Sequence, residues 1–293
     1  MKIFLPIVII LVVCLFFIAI YLYKSPVEIN NDATALKVAV TIFPVFDIVK
    51  NIAGDKAEVV LILPSGASPH TFELTPDLVL DLQNTEAVFS IGYGLDNWST
   101  RVIENIPNSQ LVNVSSNVNL IQEEEVVDPH YWLSIKNAKT IAQNISDKLS
   151  EIDPENYSYY SSNLVKYYKE LNYVDEEIKS LIRSLANKNI ITMHEGWSYF
   201  ADEYELNVVG SFEPTPGVEP SPKDLMELSK LAKENDIKVI FSEPQLSNQV
   251  LIPFLNDYNL ALAILDPIGG LVDRNSYINL MLYNGRTIYE SLR

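Results

Sequence analysis

The sequence predicts an α/β protein of two lobes, each a mainly parallel sheet flanked by helices, joined by one long helix and preceded by a transmembrane segment. Three observations predict it. Short apolar runs alternate with helix-like patterns on both sides of the chain's middle. One unbroken amphipathic pattern over residues 153–186 separates the two halves. An uncharged apolar run opens the chain. The 293 residues are 48% hydrophobic and 20% charged, enough apolar material for a large core and too ordinary a charge content for general disorder.

Residues 1–24 come first. Ile3 to Tyr23 carries no charge, and as a helix such a run spans about 30 Å, the thickness of a bilayer's hydrocarbon core. A cleaved leader has a shorter apolar region and a small-residue cleavage site. The nearest such site, Ala33-Thr34-Ala35, lies well past the apolar end. Leu11-Val12-Val13-Cys14 is loosely similar to a lipoprotein box, but Val13 stands where Gly or Ala is usual and the apolar run continues beyond it. Length therefore favours a retained signal-anchor over a cleaved signal or a lipidated Cys14. All three readings export the remainder, to the periplasm or the cell surface. Residues 25–36 read as a polar tether.

The first lobe is assigned to residues 37–152. Lys37–Phe43 reads as a strand, followed by a helix through Ile52 that ends near Gly54. Residues 57–63 (AEVVLIL) read as a second strand, 76–84 (PDLVLDLQN) as a helix and 86–92 (EAVFSIG) as a third strand.

The joining helix starts at Asp153, an N-cap residue, with Pro154 in the first turn. Apolar residues then recur at steps of three or four: Tyr157, Tyr160, Leu164, Tyr167, Leu171, Val174, Ile178, Leu181 and Leu185. A helix of that length spans about 45 Å, more than one small domain needs. The second lobe, residues 187–293, resumes the alternation. Strands are predicted at 189–194 (NIITMH), 206–212 (LNVVGSF), 237–243 (IKVIFSE) and 260–266 (LALAILD), with a helix from Pro222 to Glu234.

A net charge of −17 and a pI near 4.5 argue against nucleic acid or any other polyanion as a partner. The single cysteine, Cys14, excludes an internal disulfide and a cysteine zinc site. Chemistry then rests on the three histidines, His70, His130 and His194. Each stands at the end of a predicted strand or in the loop after one. Asp266 ends a fourth such segment and is followed by Pro267-Ile268-Gly269-Gly270. Ligands of open α/β sheets gather beyond the carboxyl ends of strands. Two candidates precede the long helix and two follow it, so they would converge between the lobes. Three imidazoles and a carboxylate suit a four-coordinate zinc ion. Taken singly, each histidine is more readily a core or capping residue than a ligand; only their shared position puts the two readings on a par. The spacing is long-range, and no HExxH motif supports it.

The segments around these residues resemble the substrate-binding proteins of zinc and manganese ABC importers. Residues 66–76 (GASPHTFELTP) resemble that family's first ligand segment, 91–98 (IGYGLDNW) the loop that follows, 128–133 (DPHYWL) the second ligand segment and 193–200 (MHEGWSYF) the third. Residues 219–222 (EPSP), 242–245 (SEPQ) and 265–269 (LDPIG) complete the series, in order, across nearly all of 37–293. The resemblance implies two α/β lobes on a rigid helix with metal between them. It carries ligand roles to His70, His130, His194 and Asp266. Two departures stand out. Gln122-Glu123-Glu124-Glu125 takes the place of the His-rich loop that many zinc-specific relatives have before the second ligand. The chain also opens on an apparent membrane span rather than a lipid anchor or cleaved signal.

His194 stands where manganese-type relatives tend to carry Glu. Nitrogen donors and the Irving–Williams order favour zinc, with manganese the other ion to consider. Asp128, Glu73 and Glu243 are available to hold the far nitrogens of the ligating rings, while Tyr131 and Trp132 are expected to pack beside the site. Ligation needs neutral imidazole, so affinity is expected to fall as pH drops through about 6.5. The expected function is capture of the ion, with a small tilt of the lobes or a loop rearrangement, and delivery by a monomer to a membrane permease. The chain has no P-loop and cannot itself be the transporter's ATPase. No catalytic residue and no enzyme activity are expected. The rival readings are a zinc hydrolase with an open three-histidine site and a surface adhesin on the same fold.

Overall fold

The computed structural model describes residues 36–123, 125–213, 220–249 and 251–293. The predicted anchor (1–24) and tether (25–36) lie outside the described residues, except for Leu36, which opens the first strand. Among the described residues no helix is long and apolar enough to cross a membrane.

The first sheet contains β1 (Leu36–Val40), β2 (Ala57–Leu61), β3 (Ala87–Ser90) and β4 (Gln110–Asn113) in the order β2-β1-β3-β4. All its pairings are parallel, with Val38 opposite both Val59 and Ala87. The helices around it are α1 (Phe43–Ala53), α2 (Pro76–Asp81) and α3 (Ser99–Asn105). The first strand is shorter than the apolar run suggested, because Pro44 sits in the first turn of α1 and the helix takes over there. Gly54 ends α1 at φ 56°, and a Cβ at that position would lie 2.2 Å from the Tyr159 hydroxyl. Only glycine meets both conditions.

A two-residue antiparallel hairpin follows, β5 (Gln122–Glu123) and β6 (Val126–Val127), then a 3-10 turn at Tyr131–Leu133 and helix α4 (Ile135–Ile152). Ser134 caps α4 by accepting from the Asn137 amide at 3.1 Å.

The long helix α5 runs Tyr157–Arg183, after a 3-10 turn at Pro154–Asn156. Asp153 does not cap it. Its Oδ2 instead accepts from the Tyr160 hydroxyl at 2.6 Å and the Asn156 amide at 2.7 Å. The buried face is Tyr160, Leu164, Tyr167, Leu171, Val174, Asp175, Ile178 and Ile182. Tyr157, placed on the stripe by sequence, is 60% exposed, and the last turn buries Ile182 in preference to Leu181.

The second sheet contains β7 (Asn189–His194), β8 (Asn207–Glu213), β9 (Val239–Ser242) and β10 (Ala261–Ile264), in the order β10-β9-β7-β8 and again all parallel. Its helices are α6 (Ser198–Tyr204), α7 (Pro222–Glu234), α8 (Leu251–Tyr258) and α9 (Tyr277–Leu292). Ser221 and Asp224 form a reciprocal capping box on α7.

Helix α5 packs on α1 and α4 of the first half and on α9 and α6 of the second. At Gly285 of α9 the helices come so close that a Cβ would lie 2.9 Å from Ile178. The largest apolar cluster is continuous from Val40 and Phe89, through Trp132, Ile141, Leu171 and Ile178, to Phe241 and Ile288. Leu36–Arg293 is accordingly one compact unit. The two sheets share a core, which leaves little freedom for a wide hinge motion.

Candidate metal centre

His194 is the last residue of β7 and is 7% exposed. The strand end is pinned locally, since the Thr192 hydroxyl donates to the His194 carbonyl at 2.8 Å. His130 follows the small β5–β6 hairpin rather than a strand of the main sheet. Its position is set by Asp128, whose Oδ1 accepts from the His130 backbone amide at 2.9 Å and lies 2.8 Å from its Nδ1. Asp128 is held in turn by the Tyr199 hydroxyl, which donates to its carbonyl at 2.8 Å and accepts from the Ile121 amide. His70 lies in the loop between β2 and α2 and is half-buried. The Trp98 indole donates to the Pro69 carbonyl at 3.2 Å, and the Trp98 ring packs edge-on against Phe72. That loop is thereby fastened on both sides of the histidine.

The three rings meet. His130 Nε2 is 3.0 Å from His194 Nε2 and 3.4 Å from His70 Nε2. One ring nitrogen from each histidine lies within 4.8 Å of the others. In a tetrahedral zinc site with bonds of about 2.0–2.1 Å, ligand nitrogens stand about 3.3 Å apart. His130 Nε2 is thus at ligand spacing from both of the other Nε2 atoms, with Asp128 already on its far nitrogen in the manner of a carboxylate–histidine–metal triad.

Gly196 makes room for this approach. A Cβ there would be 2.8 Å from His194 Cδ2 and 3.0 Å from His130 Cδ2. Burial and the neighbouring imidazoles favour the neutral form of His70 and His194. Desolvation, reinforced by His130, pushes His70 down to about 4. Desolvation, reinforced by His130 and His70, pushes His194 down to about 3. For these two rings, the loss of ligand form expected near pH 6.5 is moved to lower pH.

The histidines line a cavity of about 60 Å³. Ser68, Pro69 and Thr71 flank them from the first half, and Glu243, Gln245, Pro267 and Ile268 from the second. Asp266 is not a member of the histidine cluster. It is fully buried two residues beyond β10, where its Oδ1 accepts from the amides of Ile268 (3.0 Å) and Gly269 (2.9 Å). Its Oδ2 makes no hydrogen bond and lies 3.5 Å from Arg274 Nη1. Of the other carboxylates expected behind the ligating rings, Glu243 accepts from the Trp197 indole at 2.9 Å, while Glu73 is exposed. Tyr131 and Trp132 are fully buried. The Tyr131 hydroxyl donates to the Ile91 carbonyl and the Trp132 indole to the Pro267 carbonyl, the latter across the cleft at 2.8 Å.

The model for the family "Zinc-uptake complex component A periplasmic" (ZnuA) matches residues 38–291. The chain belongs to the ZnuA family. It is 28% identical over 285 residues to the high-affinity zinc uptake system protein ZnuA of Bacillus subtilis, covering 90% of this chain and 89% of that protein. It is 26% identical over 271 residues to the manganese-binding lipoprotein MntA of Halalkalibacterium halodurans, covering 90% of each. A crystal structure of ZnuA matches with a TM-score of 0.81 and 28% identity over 88% of this chain and 100% of that one. The two parallel-sheet lobes described above are the ZnuA fold.

Three features of this ZnuA-family site escaped the sequence reading. Gly196 leaves the two rings the space a Cβ would take, a role that its place in the 193–200 segment did not reveal. Gln245 lines the cavity with both amide atoms buried and without a hydrogen bond, and only its place in the 242–245 segment marked it. Arg274 lies beside Asp266, eight residues further on, with no periodicity linking them.

Proposed function

We propose that the protein is an extracytoplasmic carrier that captures zinc through His70, His130 and His194 and delivers it to the permease of an ABC importer. The observation that carries this reading is that His130 Nε2 stands at ligand spacing from the Nε2 atoms of His70 and His194, two of the rings coming from the first half and one from β7. Mutually close imidazole nitrogens, with His70 and His194 held neutral by burial, suit a borderline-soft divalent ion. Zinc is the preferred cargo and manganese the alternative.

The fourth ligand is Asp266, through Oδ2. Its other oxygen is occupied by two backbone amides, and its neighbours Pro267 and Ile268 already line the cavity. Loading therefore requires a short movement of the 266–269 turn toward the imidazoles. A movement on that scale suits two halves that share a core better than a wide hinge does. The uncharged apolar run of residues 3–23 is read as the anchor that keeps the chain at the outer face of the membrane, from which the loaded protein, as a monomer, docks on the permease. No catalytic role is assigned to any residue.

A zinc hydrolase with an open fourth position has one observation in its favour, the distance of Asp266 from the cluster. Asp266→Ala separates the two readings. A carrier loses affinity for the ion, whereas an open-site enzyme keeps its zinc. The main test is elemental analysis of protein purified without added metal, followed by zinc–manganese competition. One equivalent of zinc, displaced poorly by manganese, is the expected result. Protein that binds neither ion would overturn the reading.

A further inference from the structure

Asp266 is fully buried, and only half of its carboxylate is satisfied. Oδ1 is held by the Ile268 and Gly269 amides, but Oδ2 has no hydrogen bond. The charge facing Oδ2 is Arg274, whose Nη1 stands 3.5 Å away. A charge-assisted bond would be about 2.7–2.9 Å, so the guanidinium neutralises the carboxylate without occupying its lone pair. The guanidinium is also fixed where it is. It lies 4.4 Å over the Tyr283 ring, its Nε reaches Asp273 Oδ1 at 3.2 Å, and its backbone closes the turn from Gly270 at 2.8 Å. The side chain is 12% exposed.

We propose that Arg274 is the positioning residue that holds Asp266 in reserve and sets how tightly the site grips a divalent cation. The inference rests on the reading of Asp266 as the fourth ligand. Arg274 is the cation that faces the Asp266 carboxylate, at a site whose other carboxylates are Asp128, behind His130, and Glu243. A buried carboxylate without a counter-charge would be costly. Arg274 offsets that cost while leaving the Oδ2 lone pair open. When a dication arrives, Oδ2 leaves the guanidinium for the ion, and the fixed positive charge of Arg274 then opposes the ion it has just admitted. Arg274 thereby trades affinity for ready release, which a carrier needs and a storage site does not.

The test compares zinc affinity and zinc release to a chromophoric chelator for the wild type, Arg274→Gln and Arg274→Lys at pH 7.5. Thermal melts of the metal-free proteins monitor folding. Arg274→Gln is expected to bind zinc about tenfold or more tightly and to release it more slowly, with Arg274→Lys, which keeps the charge, within about threefold of wild type. A folded Arg274→Gln protein with wild-type or weaker affinity would overturn the proposal. If that variant does not fold, a structure of the zinc-loaded wild type decides: Oδ2 on the ion and drawn away from Nη1 supports the proposal, and Oδ2 on the ion with the 3.5 Å pairing unchanged overturns it. Asp266→Asn with undiminished zinc affinity would instead remove the fourth-ligand reading beneath it.

Discussion

His130 Nε2 lies 3.0 Å from His194 Nε2, joining an imidazole from the loop before α4 to one from the end of β7. The two residues are separated by the whole of α4 and α5 along the chain. Two ring nitrogens face each other at the wall of a cavity, with a third nearby.

Asp128 aims one of those nitrogens. Its Oδ1 is 2.8 Å from His130 Nδ1, which leaves Nε2 free to face the cavity. Asp128→Ala is expected to lower zinc affinity by about 10–100-fold, the usual cost of losing the residue behind a ligating histidine. Isothermal titration calorimetry measures it, and an unchanged affinity would contradict the assignment.

Gly196 is expected to accept no side chain without loosening the site. In Gly196→Ala the new methyl would press on His194 Cδ2 at 2.8 Å and on His130 Cδ2 at 3.0 Å. Zinc affinity should fall at least about tenfold, a cost of about 1.4 kcal/mol, through displacement of two ligands at once. The melting temperature of the metal-free protein, measured alongside, should change little by comparison.

The pH dependence of zinc binding should be shallow. Three histidines with ordinary pKa values would lower the logarithm of the affinity by about three for each pH unit below 6.5. His70 is depressed to about 4 and His194 to about 3, chiefly by desolvation. A depressed pKa means that protons compete only at lower pH, so neither ring contributes appreciably to the slope between pH 6.5 and 5. Competition titrations across that window should give a slope of at most about one. A slope near three would contradict the burial account.

Tyr277 ties the second half to the first. Its hydroxyl donates to the Trp132 carbonyl at 2.6 Å in a fully buried setting, and its backbone amide donates to Asp47 Oδ2 at 2.9 Å. Tyr277→Phe leaves the Trp132 carbonyl unpaired and should cost about 1–3 kcal/mol of stability in denaturant titrations.

The sequence made the two sheets and the long helix legible because their apolar spacing is regular. Helix α4 was less visible. Its buried stripe includes Ala138 and Ala142, which give weak periodic contrast. Helix α9 carries Asn284 and Gly285 at its centre, residues that argue against a helix interior. Tertiary packing overrides them: Asn284 bonds both backbone groups of Asp266, and Gly285 admits Ile178. At the site, the histidines could be found because His194 ends a strand and His70 and His130 stand in loops that follow predicted strands, although in the structure His70 lies well beyond β2 and His130 follows only the small β5–β6 hairpin. The restraint on Asp266 was harder to see, although Asp-Pro-Ile-Gly is a turn sequence whose Asp side chain is suited to accept the amides two and three residues on.

Zinc K-edge X-ray absorption on protein loaded with one equivalent of zinc tests the central claim most directly. Three imidazole nitrogens and one oxygen at about 2.0–2.1 Å are predicted, with one imidazole fewer in His130→Ala. A spectrum with fewer than two imidazoles, or one that His130→Ala leaves unchanged, would contradict the assignment.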